Sequence, residues 1–252
     1  MAQGQANQAE TLETLMEAWE LKKILKMLSI TDASIAILPR ENGVRLEALS
    51  NDKIALVAID VDWFKGLRSG LLFDIYDASR LMRALPWSRL EVKVAIDGNW
   101  LKATAPGGTF NAKLDVIEKP EGIMDGVLRN LGNGVKAVMR VDAYRLLSWF
   151  KPFAVVGDAR VHFKVLYGGL IIGALDEDAP MILDIKGSLF NEYESDSLFE
   201  VGYYLGYVVP FLEEVKRNGS VNVTIAQGKP MLIEATLERG IVARIAQAPM
   251  VE

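Results

Sequence analysis

The sequence predicts an α+β fold built by repeating one unit, and three observations carry that reading. An apolar quartet spaced i, i+3, i+4, i+7 occurs at Leu21/Ile24/Leu25/Leu28, Ala78/Leu81/Met82/Leu85, Ala143/Leu146/Leu147/Phe150 and Leu205/Val208/Val209/Leu212. Each quartet marks one face of a two-turn amphipathic helix. After each come about three stretches of alternating apolar and polar residues, the period of a half-buried strand. The breaks between those stretches, such as Asn42-Gly43 and Asp97-Gly98, are hairpin turns and make the strands antiparallel.

The first unit opens with a strand near 11–18 and a helix at 20–28, followed by strands at 34–38, 43–49 and 53–60. The second has a strand at 71–75 and a helix from Asp77, read as its N-cap, to Leu85, where Pro86 stops it. Its strands are expected at 89–96, 99–105 and 109–116, joined through Asp97-Gly98 and Pro106-Gly107-Gly108. Segment 117–133 breaks the rhythm, with Pro120, Gly122, Gly126 and Gly132 among scattered Ile123, Met124, Val127 and Leu128. It reads as a linker whose apolar residues lie against the surface. The third unit runs through a strand at 135–141, a helix at 142–150 and strands at 161–166, 170–175 and 181–186. The fourth has a strand at 198–202, a helix ending near Arg217, and strands at 221–226, 231–237 and 241–246. The domain plan is a disordered polar lead-in 1–10, a first domain 11–116, a connecting loop 117–133 and a second domain 134–252.

Half of the 252 residues are apolar, enough to bury a substantial core. The absence of cysteine excludes disulfides, thiolate metal sites and cysteine nucleophiles, and suits a cytoplasmic, nucleoid or nuclear protein. No apolar run approaches the roughly 20 residues of a membrane span. The formal charge of −5 is incompatible with a surface that is basic all over, but not with one basic face.

The wet faces of the helices supply such a face. Lys22, Lys23 and Lys26 fall within about 100° of arc opposite the leucines of the first helix. The second helix pairs Arg80 with Arg83, and the third carries Arg145 with Lys151 past its end. On the fourth, Lys216 and Arg217 share the surface with Glu213 and Glu214, and Pro210 must sit in the first turn or kink the helix. One such helix is ordinary solubility; three at equivalent places in an acidic chain suit a polyanion.

Catalytic chemistry finds little support. There is no GxxxxGK[ST] phosphate loop and no GxGxxG after a strand. The single histidine, His162, alternates with Val161 and Phe163 in a strand, which disfavours a nucleophile–histidine–acid triad. Asp60 and Asp62 share one side of a strand and offer two ligands for a divalent metal, the basis of an alternative metal-dependent enzyme. The acidic run Asp176-Glu177-Asp178 reads as a solvated turn.

Three segments resemble the DNA sliding clamps of the PCNA family, of archaeal and eukaryotic type. LKKILKML from Leu21 and GVRLEALSNDKIALVAIDV from Gly43 are similar to its first domain. GKPMLIEATLERGIVARIAQAP from Gly228 is similar to its closing hairpin and Ala-Pro tail. The resemblance implies a DNA-clamp fold of two similar domains, each of two βαβββ units, with antiparallel sheets outside and four helices lining a ring interior. It implies a non-enzymatic processivity factor in DNA replication and repair, without a cofactor, working as a homotrimer or a heterotrimer with paralogues. Its partners would be duplex DNA, contacted without regard to sequence, and DNA polymerase, clamp loader, flap endonuclease and ligase, each bound through a short peptide. By position, Lys22, Lys23, Lys26, Arg80, Arg83, Arg145 and Lys216 would face DNA. Leu49, Lys53, Ile54, Leu56, Met124, Leu128, Pro230, Ala248 and Pro249 would form the peptide groove. Phe110, Ala112, Leu114, Ile182, Asp184 and Lys186, on strands with free edges, would meet the next subunit. Two departures stand out: the fourth helix is less basic than the pattern, and no aromatic residue lies near Ala246. A clamp-like subunit specialised for damage response is the alternative within the family.

Overall fold

The computed structural model describes residues 11–118, 120–155, 159–174 and 181–250. The lead-in 1–10, Lys119 and the acidic run at 176–178 lie outside the described residues. The first half runs β1 (Leu12–Glu17), α1 (Ala18–Leu28), β2 (Ile35–Arg40), β3 (Gly43–Leu49), β4 (Ala55–Val61), β5 (Gly70–Phe73), α2 (Ile75–Ala84), β6 (Glu91–Asp97), β7 (Trp100–Ala105) and β8 (Gly108–Ile117). A helix, α3 (Ile123–Leu131), follows. The second half runs β9 (Lys136–Asp142), α4 (Ala143–Val155), β10 (Arg160–Leu166), β11 (Gly169–Ala174), β12 (Ile182–Lys186), β13 (Glu192–Ser195), β14 (Phe199–Tyr204), α5 (Val208–Val215), β15 (Ser220–Ala226), β16 (Met231–Thr236) and β17 (Val242–Gln247).

The two halves repeat one topology. In the first, β1-β6-β7-β8 and β5-β2-β3-β4 are antiparallel ribbons joined where β8 pairs with β5. In the second, β9-β15-β16-β17 and β14-β10-β11-β12 repeat that arrangement, bridged between Tyr203 and Pro249. Gly43 and Gly169 open the equivalent strands β3 and β11 with φ of 150° and 158°. A Cβ there would stand 2.1 Å from Val61 O and 2.2 Å from Ile185 O, so both turns admit glycine alone. The halves are sewn together by β4 and β17, paired from Val242↔Asp60 to Gln247↔Ala55.

The predicted helix quartets all point inward. Ile24, Leu28, Leu81, Leu146, Phe150, Val208 and Leu212 are buried against the sheets. In the second half the core is closed by edge-to-face contacts of Phe163 with Phe150 and Tyr203, at 5.7 and 5.6 Å. Pro210 sits in the first turn of α5, where its missing N–H costs nothing.

Three expectations need correction. The N-cap of α2 is Asp74, whose carboxylate accepts from Tyr76 N at 2.8 Å; Asp77 lies inside the first turn. A further strand, β13, pairs with β9 where none was expected. Most consequential, the connecting segment is not a loop but contains α3. Met124, Val127, Leu128 and Leu131 repeat the same i, i+3, i+4, i+7 quartet, and they bury against the sheet. Gly126 in the middle and the glycines at both ends hide a pattern that is present in the sequence.

Candidate nucleic-acid face and partner groove

The helices α2, α1, α5 and α4 form one row. α1 packs on α2 in the first half, α5 on α4 in the second, and α1 touches α5 across the junction. Burying each leucine face on a sheet leaves the polar faces of all four on the same side. Lys22 donates to Leu85 O at 2.7 Å and lies over the Trp87 ring, 4.9 Å from its centre. Lys23 reaches across the junction to Asn218 Oδ1 at 2.8 Å, and burial pushes its ammonium below the ordinary lysine pKa. Lys26 pairs with Glu214 of α5 at 2.6 Å. Arg80 pairs with Asp77 at 3.2 Å, Arg83 bonds its own helix at Ser79 O, and Arg145 donates to Leu189 O at 2.7 Å.

The fourth helix neutralises its neighbours. Glu213 accepts from Lys151 at 2.7 Å and from Lys216, which together hold its carboxyl down at about 2. Sequence reasoning left Lys151 and Arg217 out of the DNA-facing set; Arg217, exposed just past α5, forms no ion pair among the described residues. The cleft between α1 and α5, about 550 Å³, is lined by Lys23, Lys26, Lys216 and Arg217 together with Glu213 and Glu214.

On the opposite face the residues assigned to a groove fall into two groups. Leu56, Ala58, Leu232, Ala246 and Ala226 form an apolar floor across the β4–β17 junction, with Leu49 at its side. Met124 and Leu131 of α3 are buried in that floor, and Val127 and Leu128 pack beside them. Lys53, Ile54, Pro230, Ala248 and Pro249 line the rim and keep some exposure. The rim is tied across the junction by Ala248 N donating to Ile54 O at 2.7 Å and by Tyr207 donating to Asp52 at 2.8 Å.

Beside the apolar floor runs a charge ladder that sequence reasoning missed. Arg45 on β3 donates to Asp60 on β4 at 2.6 Å; Asp60 also accepts from Arg244 on β17, which holds Glu234 on β16 at 2.7 Å. Arg45 further binds Asp125 of α3 at 2.5 Å, and Arg40 binds the same carboxylate at 2.8 Å. Glu47, 4% exposed, accepts from the N–H groups of Ile123 and Met124 at 2.8 and 3.3 Å. The signal was the alternation in GVRLEAL, AIDV, IEAT and VARIA, which puts Arg45, Glu47, Asp60, Glu234 and Arg244 on the outer face between the apolar positions. This ladder also answers the metal reading. Both oxygens of Asp60 are taken by guanidiniums, which repel a cation, and Asp62 lies past the strand end facing Lys65 at 3.8 Å.

The edges of the two ribbons are also placed. β8 pairs with β7 over 108–113 and with β5 over 114–117, so its early half keeps one unpaired side among the described residues. Among the described residues β12 pairs with β11 alone. Ala112 and Leu114 are buried and Phe110 is half-buried, whereas Ile182, Asp184 and Lys186 point into solvent.

This arrangement matches solved structures over nearly the whole chain. The complex of the C-terminal region of FEN-1 with A. fulgidus PCNA aligns with a TM-score of 0.77 and 14% identity, over 96% of this chain and 99% of that one. The fold is that of the PCNA sliding clamps. The PCNA2-PCNA3 complex from Sulfolobus tokodaii gives 0.77 at 16% identity, over 96% and 100% of the chains. PCNA from Entamoeba histolytica gives 0.74 at 14% identity, over 95% and 99%. No family model and no curated protein sequence matches the chain. At these identities the clamp fold is what is shared; within it, α3 covers the sheet face at the junction of the two clamp halves.

Proposed function

We propose that this chain is a non-enzymatic subunit of a closed ring that surrounds duplex DNA and tethers replication and repair enzymes to it. The observation that carries the reading is the β4–β17 junction. β12 is the second-half counterpart of β4, and β8 the first-half counterpart of β17; among the described residues β12 and the early half of β8 are each paired on one side alone. Pairing β12 of one copy with β8 of the next repeats the internal junction between molecules, head to tail, and covers both of these edges in a closed ring. Beside β8 an open concavity of about 340 Å³, lined by Leu81, Ala84 and Phe110, faces outward. Ile182, more than two-thirds exposed, lies on the other edge.

In a ring of three, the domains 11–116 and 134–252 alternate and the helix row turns inward. Lys22, Lys23, Arg80, Arg83, Arg145 and Arg217 then face phosphates rather than bases. The junction face outside would receive peptide tails, a reading supported by the binding of the C-terminal region of FEN-1 to A. fulgidus PCNA. The PCNA2-PCNA3 complex makes assembly with paralogues an equal possibility to a homotrimer. Sedimentation of the purified chain, alone and with the clamp paralogues of its genome, tests the reading. Three-subunit assemblies support it, and a persistent monomer in every mixture overturns it. A second reading, a clamp subunit specialised for damage response, is favoured by the neutralised α5. It predicts ring formation without stimulation of a replicative polymerase.

A further inference from the structure

We propose that α3 occupies the partner groove as a built-in plug, clasped at both ends, and that a partner peptide binds by displacing it. This inference rests on the reading of the junction face as the partner groove. The floor formed by Leu56, Ala58, Leu232 and Ala246 is already filled: Met124 is 0% exposed and Leu131 5%. While α3 is seated, Met124 and Leu131 hold the places on that floor that an apolar anchor would take.

The plug is held by charge as much as by burial. At its N-terminus the Glu47 carboxylate accepts the first two N–H groups, those of Ile123 and Met124. Asp125 in the first turn is gripped by Arg40 and Arg45. At its C-terminus the Lys229 ammonium donates to Asn130 O at 2.6 Å and to Asn133 O. Carboxylate at the positive end and ammonium at the negative end both suit the helix dipole. The polar clasps matter because α3 is only 9 residues long and carries Gly126 in its middle. A helix that short does not persist alone in water, so it exists only while docked. The occupant that replaces it is a peptide able to put apolar anchors where Met124 and Leu131 now sit.

The test uses the full chain and a short synthetic peptide carrying one aliphatic and two adjacent aromatic anchors. Amide exchange over 123–131 and peptide affinity are measured for the wild type, Lys229→Met and Glu47→Gln, which release opposite ends of the helix. Each variant should exchange these amides about tenfold faster and bind the peptide about tenfold more tightly, the factor that about 1.4 kcal/mol represents. Peptide added to the wild type should deprotect the same amides. Faster exchange with unchanged affinity, or peptide binding that leaves 123–131 protected, overturns the plug. Faster exchange with no peptide binding to any variant overturns the groove reading itself.

Discussion

Asp60 shows how one residue ties the two halves together. Burial alone would raise its pKa, but the guanidiniums of Arg45 and Arg244 on either side outweigh burial and lower it. Asp125, held by Arg45 and Arg40, is lowered for the same reason. A carboxylate whose folded pKa lies below its unfolded value stabilises the fold above the unfolded value, and that stability is lost as pH falls through the folded one. The junction should therefore weaken below about pH 4, where free aspartate protonates. Glu47 runs the opposite way: burial raises its pKa, so the stability gained on protonating it accrues above the free glutamate range and is complete before the loss at Asp60 and Asp125 sets in. Thermal midpoints followed from about pH 5 to about pH 3 should fall in the wild type and fall less in Asp60→Asn. An equal slope in both would separate the ladder from acid stability. Met124 is a second residue-scale test. Truncating a fully buried methionine to alanine costs about 2–5 kcal/mol in a rigid core. Here the loss is capped by whatever docks α3, so Met124→Ala should speed amide exchange over 123–131 while the global midpoint hardly moves.

At the scale of elements, charge on α5 opposes charge on its neighbours. Glu213 takes Lys151 and Lys216, and Glu214 takes Lys26. Glu213→Gln should release two ammonium groups toward the ring interior. Retention of loaded rings on closed circular DNA should then survive higher salt, with a steeper log–log salt slope, because each added phosphate contact adds roughly 0.9 to its magnitude. Unchanged slopes would place α5 away from the DNA. The contrast between elements also shows what the sequence made legible. Helices α1, α2 and α4 were readable because each quartet sits in a run without glycine or proline, and α5 was readable despite Gly206 and Pro210 because Pro210 falls in its first turn. α3 has the same quartet, but Gly126 and the flanking glycines lower its helix propensity below what a local reading accepts. Its stability comes from Glu47, 76 residues before Ile123, and from Lys229, 96 residues after Asn133. The groove residues were legible as apolar positions; that α3 fills them was not, because burial depends on which sheet face the helix meets.

For the whole molecule, the internal junction and the expected subunit joint are two versions of one contact, and they differ in strength. Counting from the pairs that follow the two glycines, Val44↔Val61 and Leu170↔Ile185, Asp184 takes the place of Asp60 and Ile182 that of Ala58. Asp60 stands opposite Arg45, but Asp184 stands opposite Ile171, so the joint lacks the arginine that reinforces the junction. A ring of these chains should open between subunits while each chain stays whole. The position of Ile182 sharpens this. Ala58 is fully buried at the junction, whereas Ile182 is 73% exposed in the single chain, an apolar residue on an unpaired edge. Ring closure would bury it, contributing about 1.5–3 kcal/mol for a side chain of this size. Ile182→Lys puts a hydrated charge on that edge, the device by which edge strands avoid partners. The variant should fold with an unaltered midpoint at concentrations where the wild type is monomeric, yet sediment as a single chain where the wild type forms rings of three. It should also lose retention on circular DNA, although every cation of the helix row is intact. Ring formation by Ile182→Lys at wild-type concentrations would move the subunit joint away from β12, and with it the claim that the molecule repeats its own junction to close.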